Sequence, residues 1–171
     1  MKILIAALMV LVALGGSAMA AASSTTQVSA SLSSYISLAV PTSISGWTLT
    51  QGDNTMTPSG LVVNSNAPWH IFVQSAKNIP ASGNDYYGHF WSPSAYKAGL
   101  GVNSHGTGFL TNPLVLNAGS GDVPLSDDSA PLESGITLGS TPVSLALKQN
   151  VGMTDPAEND YSIVIQFTAS N

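Results

Sequence analysis

Three histidines, nine carboxylates and many serines could in principle supply acid–base or nucleophilic chemistry. Such chemistry needs a nucleophile beside a base, with a third group orienting that base. Nothing in the order of His70, His89 and His105 selects such a set, no Gly-x-Ser-x-Gly elbow is present, and the chain has no cysteine. No catalytic residue is assigned, and an enzyme is not expected. His70 lies between Trp69 and Ile71, and strand alternation would turn it to the opposite face, towards solvent.

Metal chemistry has one better candidate. His89 and His105 share an irregular region but lack a third ligand at defined spacing, so zinc is not expected. Asp122, Asp127 and Asp128 fall in one acidic stretch, and Asp155, Glu158 and Asp160 in another. Hard oxygen ligands of this kind suit a weak calcium site centred on Asp122, Asp127 and Asp128. A solvated acidic turn accounts for the same residues, because the spacing of an EF-hand is absent.

A third set is aromatic. Tyr86, Tyr87, Trp91 and Tyr96 cluster inside a Gly-, Ser- and Pro-rich stretch, about residues 77–111, that keeps no regular period. Loops of this length are uncommon without a role, so these residues are candidate contacts for a ligand or partner, a cell-surface glycan among them. Trp47 and Trp69 are expected in the core.

The elements that would position these residues are strands. From Val28 to Val40 the chain alternates, with Val28, Ala30, Leu32, Ile36 and Leu38 on one parity and mainly serines on the other. This candidate assembly strand either pairs within its own subunit or completes the sheet of a neighbouring copy. Ile44–Thr50 reads as a short strand, and residues 51–60 as turns. Leu61–Asn64 and Trp69–Gln74 read as a hairpin joined through Ser65–Pro68. Further strands are expected at 113–117, 122–125, 135–138, 142–149 and 161–169, where Tyr161, Ile163, Ile165 and Phe167 share a face. Eight or nine short strands with no helical period predict an all-β antiparallel sandwich, Ig-like or jelly-roll-like.

Composition narrows the setting. Met1–Lys2, an apolar run over Ile3–Gly16 and Ser17–Ala20 form a secretory signal, with cleavage expected after Ala20. That run, about 14 residues, is short of the roughly 20 that span a bilayer, so no stable membrane insertion is expected after cleavage. Residues 21–171 then form a single domain. Only 8% of the chain is charged and none of it is arginine; Lys77, Lys97 and Lys148 face nine acids. Nucleic-acid binding is disfavoured, since phosphate neutralisation needs basic clusters. A weakly charged, cysteine-free exported surface is compatible with packing against copies of itself.

Val28–Leu38, Gly46–Leu49, Val63–Trp69 and Tyr161–Ser170, in that order, resemble small exported β-sandwich cell-surface proteins of methanogenic archaea. The last of these segments is also distantly similar to the closing strand of WxL-type surface domains and of donor-strand pilus subunits. The resemblance covers the first third and last fifth of the mature chain. It implies a secreted or cell-surface location and a non-enzymatic, self-assembling role as subunit of a surface layer, sheath or filament. The Trp-x-Leu pair of WxL domains is missing, so peptidoglycan attachment is not carried over. A monomeric carbohydrate-binding module is the alternative.

Overall fold

The computed structural model describes residues 26–76, 88–101 and 106–171. The expected signal sequence, Tyr86, Tyr87 and His105 lie outside them. Contacts divide the chain into two units, with the boundary after Leu32. In the first, Thr26–Leu32 are exposed and carry neither helix nor strand.

The second unit is mostly β: ten strands in three antiparallel sheets, with one short helix, among the described residues. The strands are β1 (Ile36–Ala39), β2 (Gly52–Met56), β3 (Val62–Ser65), β4 (Trp69–Ser75), β5 (Val115–Asn117), β6 (Asp122–Pro124), β7 (Ala130–Gly135), β8 (Gly139–Pro142), β9 (Ala146–Val151) and β10 (Ile165–Ser170). The sheets run β1-β3-β8, β10-β4-β7 and β2-β9-β5-β6. Only β5 and β6 pair as chain neighbours, so the fold is built almost entirely from pairings distant in sequence.

One apolar core joins all three sheets. Leu61 and Val63 come from β3 and its approach, Trp69, Ile71 and Val73 from β4, and Leu114, Leu116, Leu132, Leu145 and Leu147 from the rest. All are at most 3% exposed. Alternation explains the choice: in β4 the buried Trp69, Ile71, Val73 and Ser75 face inward, while His70, Phe72 and Gln74 face away. His70 is exposed, as its parity implies, and its ring leans on Phe72 at 6.4 Å. Trp69 is buried as expected; Trp47 is half-buried and packs edge-on against Phe90 at 6.1 Å.

Several strand expectations need correction. The long strand expected from Val28 is four residues, Ile36–Ala39, because β3 offers partners only from Val62 to Ser65. The Leu61–Gln74 hairpin does not form: β3 and β4 belong to different sheets. Between them Ser65 Oγ donates to the Ala67 carbonyl at 2.8 Å and accepts from Ala67 N–H at 3.1 Å. Those bonds, with Pro68 lacking an N–H, turn the chain out of one sheet into another. Ile44–Thr50 is not a strand, whereas the turn-like Gly52–Met56 is, through pairing with β9. There Asn54 accepts from Thr50 N–H at 2.8 Å and donates to the Thr50 carbonyl at 2.7 Å, closing the loop that starts β2. Residues 136–138 form the connection between β7 and β8 rather than a strand.

The helix, α1 (Pro93–Ala98), lies inside the stretch expected to be irregular. Ser92 caps it by accepting from Ala95 N–H at 3.0 Å, Pro93 occupies its first turn, and Gly99 ends it at φ 70°.

Candidate functional site

Four groups of residues could carry function. The first is the N-terminal segment. Val28 and Leu32 are 86% and 87% exposed, and Ala30 is exposed as well. Large aliphatic side chains at two ends of one alternating stripe, both in solvent, have the composition of a strand that lacks a sheet. Further along the same stripe, Ile36 and Leu38 are half-buried and pack on the core. The change occurs where the chain joins β1. There Asn66 Oδ1 accepts from Tyr35 N–H at 2.7 Å, Asn66 Nδ2 donates to the Ser33 carbonyl at 3.0 Å, and Asn66 N–H donates to the Tyr35 carbonyl at 3.3 Å. A side-chain amide thus stands in for the next strand residue of β3 and fixes where pairing stops.

The edge strands β1 and β10 share a second feature. The inward side chains Ile36 and Leu38 of β1 and Ile165 and Phe167 of β10 are only half-buried, while those of the central strands β3 and β4 are almost fully enclosed. Edge strands exposing apolar flanks are sites where further chain can add.

The aromatic group is held by backbone. Trp91 bridges Phe109 on one side and Ser162 on the other, with Trp91 N–H donating to the Ser162 carbonyl and Ser162 N–H donating back, both at 3.0 Å. Its ring lies 6.0 Å from that of Tyr96, inclined by 52°, and Tyr96 is 38% exposed. Tyr86 and Tyr87, the other two candidates, fall outside the described residues. Buried His89 bonds through Nδ1 to the Leu110 carbonyl at 2.9 Å, which fixes its ring within the core wall.

The acids are engaged by the chain itself. Asp122 accepts from Lys148 Nζ and from Asn117 Nδ2, each at 2.6 Å, and the lysine bond first, then the asparagine bond, hold its carboxyl below the usual range. Asp127 and Asp128 are exposed in the turn after β6. Asp155 accepts from Thr111 N–H, Thr111 Oγ1 and Gly152 N–H at 2.9, 2.7 and 2.7 Å, clamping two loops together. Asp160 accepts from Ser92 Oγ and from Ser94 N–H, tying the helix start to the approach to β10. Among the described residues no three His, Cys, Asp or Glu side chains converge on a point that could hold a metal ion.

Finally, two open grooves of about 510 Å³ each mark the surface. One, between the first and third sheets, is lined by Pro58, Leu61, Val62, Pro142, Val143 and Leu145 with Ser and Asn at its rim, and no ionisable side chain contributes to it. The other carries Asp53, Asp122 and Lys148. No signal in the sequence marked the uncharged groove, because its walls come from three separate connections.

No protein-family model, curated protein or solved structure matches this chain.

Proposed function

We propose that the protein is a secreted, non-catalytic β-sandwich subunit of a cell-surface layer, sheath or filament, assembling through strand addition. The observation that carries this reading is the exposed aliphatic stripe of Val28 and Leu32, 86% and 87% in solvent, ahead of a strand whose side chains of the same parity, Ile36 and Leu38, are half-buried against the core. Leaving both side chains in water forgoes about 1.5–3 kcal/mol apiece, which a neighbouring sheet would recover. The half-buried flanks of the edge strands β1 and β10 and the scarcity of charge add support, since little repulsion opposes packing of identical copies.

Size-exclusion chromatography with light scattering, followed by negative-stain microscopy, tests the proposal on the chain beginning at Ala21. High-mass species, sheets or filaments support it. A strict monomer that captures an immobilised glycan and loses it in Trp91→Ala would replace it with the carbohydrate-binding alternative.

A further inference from the structure

Chain direction within the first sheet separates two features. Asn66 grips Ser33 and Tyr35 at one end of the β1–β3 pair, so the chain enters β1 there. The register pairs Ala39 with Val62 at the other end, after roughly 13 Å of strand. At that far end β3 meets β8, with Val62 opposite Pro142 and Val143 N–H donating to the Leu61 carbonyl at 2.9 Å. These residues form one wall of the uncharged groove. The entry point of the N-terminal segment and the groove therefore mark opposite ends of one sheet.

Resting on the assembly reading above, we infer that this groove receives the Val28–Leu32 segment of a second copy. Three observations select that occupant. The segment is free of charge from Thr26 to Ser34, and no ionisable side chain lines the groove, with Glu133 standing behind Gly119 at its rim; a charged peptide would bring an unpaired ion against Val62, Pro142 and Val143, whereas Gln-Val-Ser-Ala-Ser-Leu brings none. The segment carries exposed aliphatic side chains in need of cover, and the groove offers apolar walls with hydroxyl and amide groups at its rim. The volume, about 510 Å³, lies in the range of sites that enclose small ligands or a few side chains. The other groove, with Asp53, Asp122 and Lys148, matches an uncharged segment less well.

The geometry has a consequence for symmetry. A segment seated in a neighbour's groove closes a two-fold dimer when the exchange is reciprocal, and is heterologous when each copy serves a different neighbour. Repetition of the heterologous form gives a ring or an open filament.

Because the chain has no cysteine, disulfide trapping reads the contact without background. Leu32→Cys protein is mixed with Ser144→Cys protein, both in the chain beginning at Ala21, and oxidised. A parallel mixture of Leu32→Cys with Ser170→Cys, outside the groove, serves as control. The expected result is a mixed disulfide at least tenfold more abundant in the first mixture, and loss of high-mass species in Ser144→Asp, at an exposed position of the groove, with the circular dichroism spectrum unchanged. High-mass species in the unsubstituted chain together with equal trapping in both mixtures would overturn the groove while leaving assembly intact. A monomeric chain with no trapping in either mixture would remove both.

Discussion

Asn66 holds Tyr35 by both its side chain and its backbone. Its Oδ1 accepts from Tyr35 N–H at 2.7 Å, and its own N–H donates to the Tyr35 carbonyl at 3.3 Å. One residue at the end of β3 therefore completes the pairing of β1 and sets the point from which the N-terminal segment leaves the sheet. Replacing the side chain by alanine removes the bonds to Tyr35 N–H and the Ser33 carbonyl. At this exposed site the expected loss is about 1 kcal/mol of stability. Hydrogen exchange at Tyr35 should accelerate well beyond that at Ser37, which lies at the next bonded position of the ladder, opposite Asn64. Equal acceleration at both positions would mean that Asn66 supports the whole strand instead of its start.

The exposed stripe gives an opposite expectation for two residues of one parity. Leu32→Asp places a charge where the side chain is already in solvent, so stability should change by less than about 0.5 kcal/mol. Self-association should nevertheless be lost, because the substituted side chain could no longer enter an apolar site. Leu38→Asp should instead destabilise the fold, since Leu38 packs on the core. Chemical denaturation and light scattering on the same samples separate the two effects.

Trp69 lies so close over β7 that only glycine fits at position 135. A Cβ there would stand 2.4 Å from Trp69 Cζ2. The indole is fixed by its Nε1–H, which donates to the Thr137 carbonyl at 3.3 Å, and by burial in the core. Gly135→Ala should cost about 1–3 kcal/mol through forced displacement of the ring. A red-shifted or weakened tryptophan emission, with an unfolding midpoint lowered in proportion, is the signature to look for; an unchanged midpoint would show that the ring has room to move.

These cases show which parts of the fold the sequence carries. The face of β4 is legible because Trp69, Ile71 and Val73 alternate with His70 and Gln74, broken only by Phe72, and a period of two is a local property. Which strand lies beside it is not local: β4 sits between β7 and β10, while the Ser65–Pro68 connection reads equally well as a hairpin loop or a change of sheet. Gly52–Met56 carries almost no apolar signal and becomes a strand only because β9 is present to pair with it. The helix at Pro93–Ala98 did leave a trace in Ser92, Pro93 and Gly99, its cap, first turn and stop. Six residues are too few for a period to confirm it. Of the candidate site, the stripe from Val28 was visible and its exposure was not, since exposure depends on where β3 ends. The uncharged groove was invisible for the same reason.

Asp160 and Tyr161, adjacent in sequence, should set the two flanks of the stability profile. Ser92 Oγ donates to Asp160 first in importance, and Ser94 next, holding its carboxyl below the ordinary value of about 4. A depressed carboxylate stabilises the fold above its unfolded value, and that contribution disappears as pH falls through the lower folded value. Asp122 acts in the same direction through Lys148, so Asp160→Asn should reduce the acid-induced loss and leave a remainder that Asp122→Asn removes. Tyr161 is displaced upward, chiefly by burial and then by the charges of Asp155, Glu158 and Asp160, while its hydroxyl donates to the Pro156 carbonyl at 2.8 Å. A raised phenol stabilises the fold fully below the ordinary tyrosine value near 10, and the contribution is lost as pH rises beyond it. Thermal unfolding followed from pH 2 to 11 should therefore show a steep alkaline decline that flattens in Tyr161→Phe. If the decline persists unchanged in that variant, the alkaline flank arises from other groups and the loop between β9 and β10 does not depend on the neutral phenol.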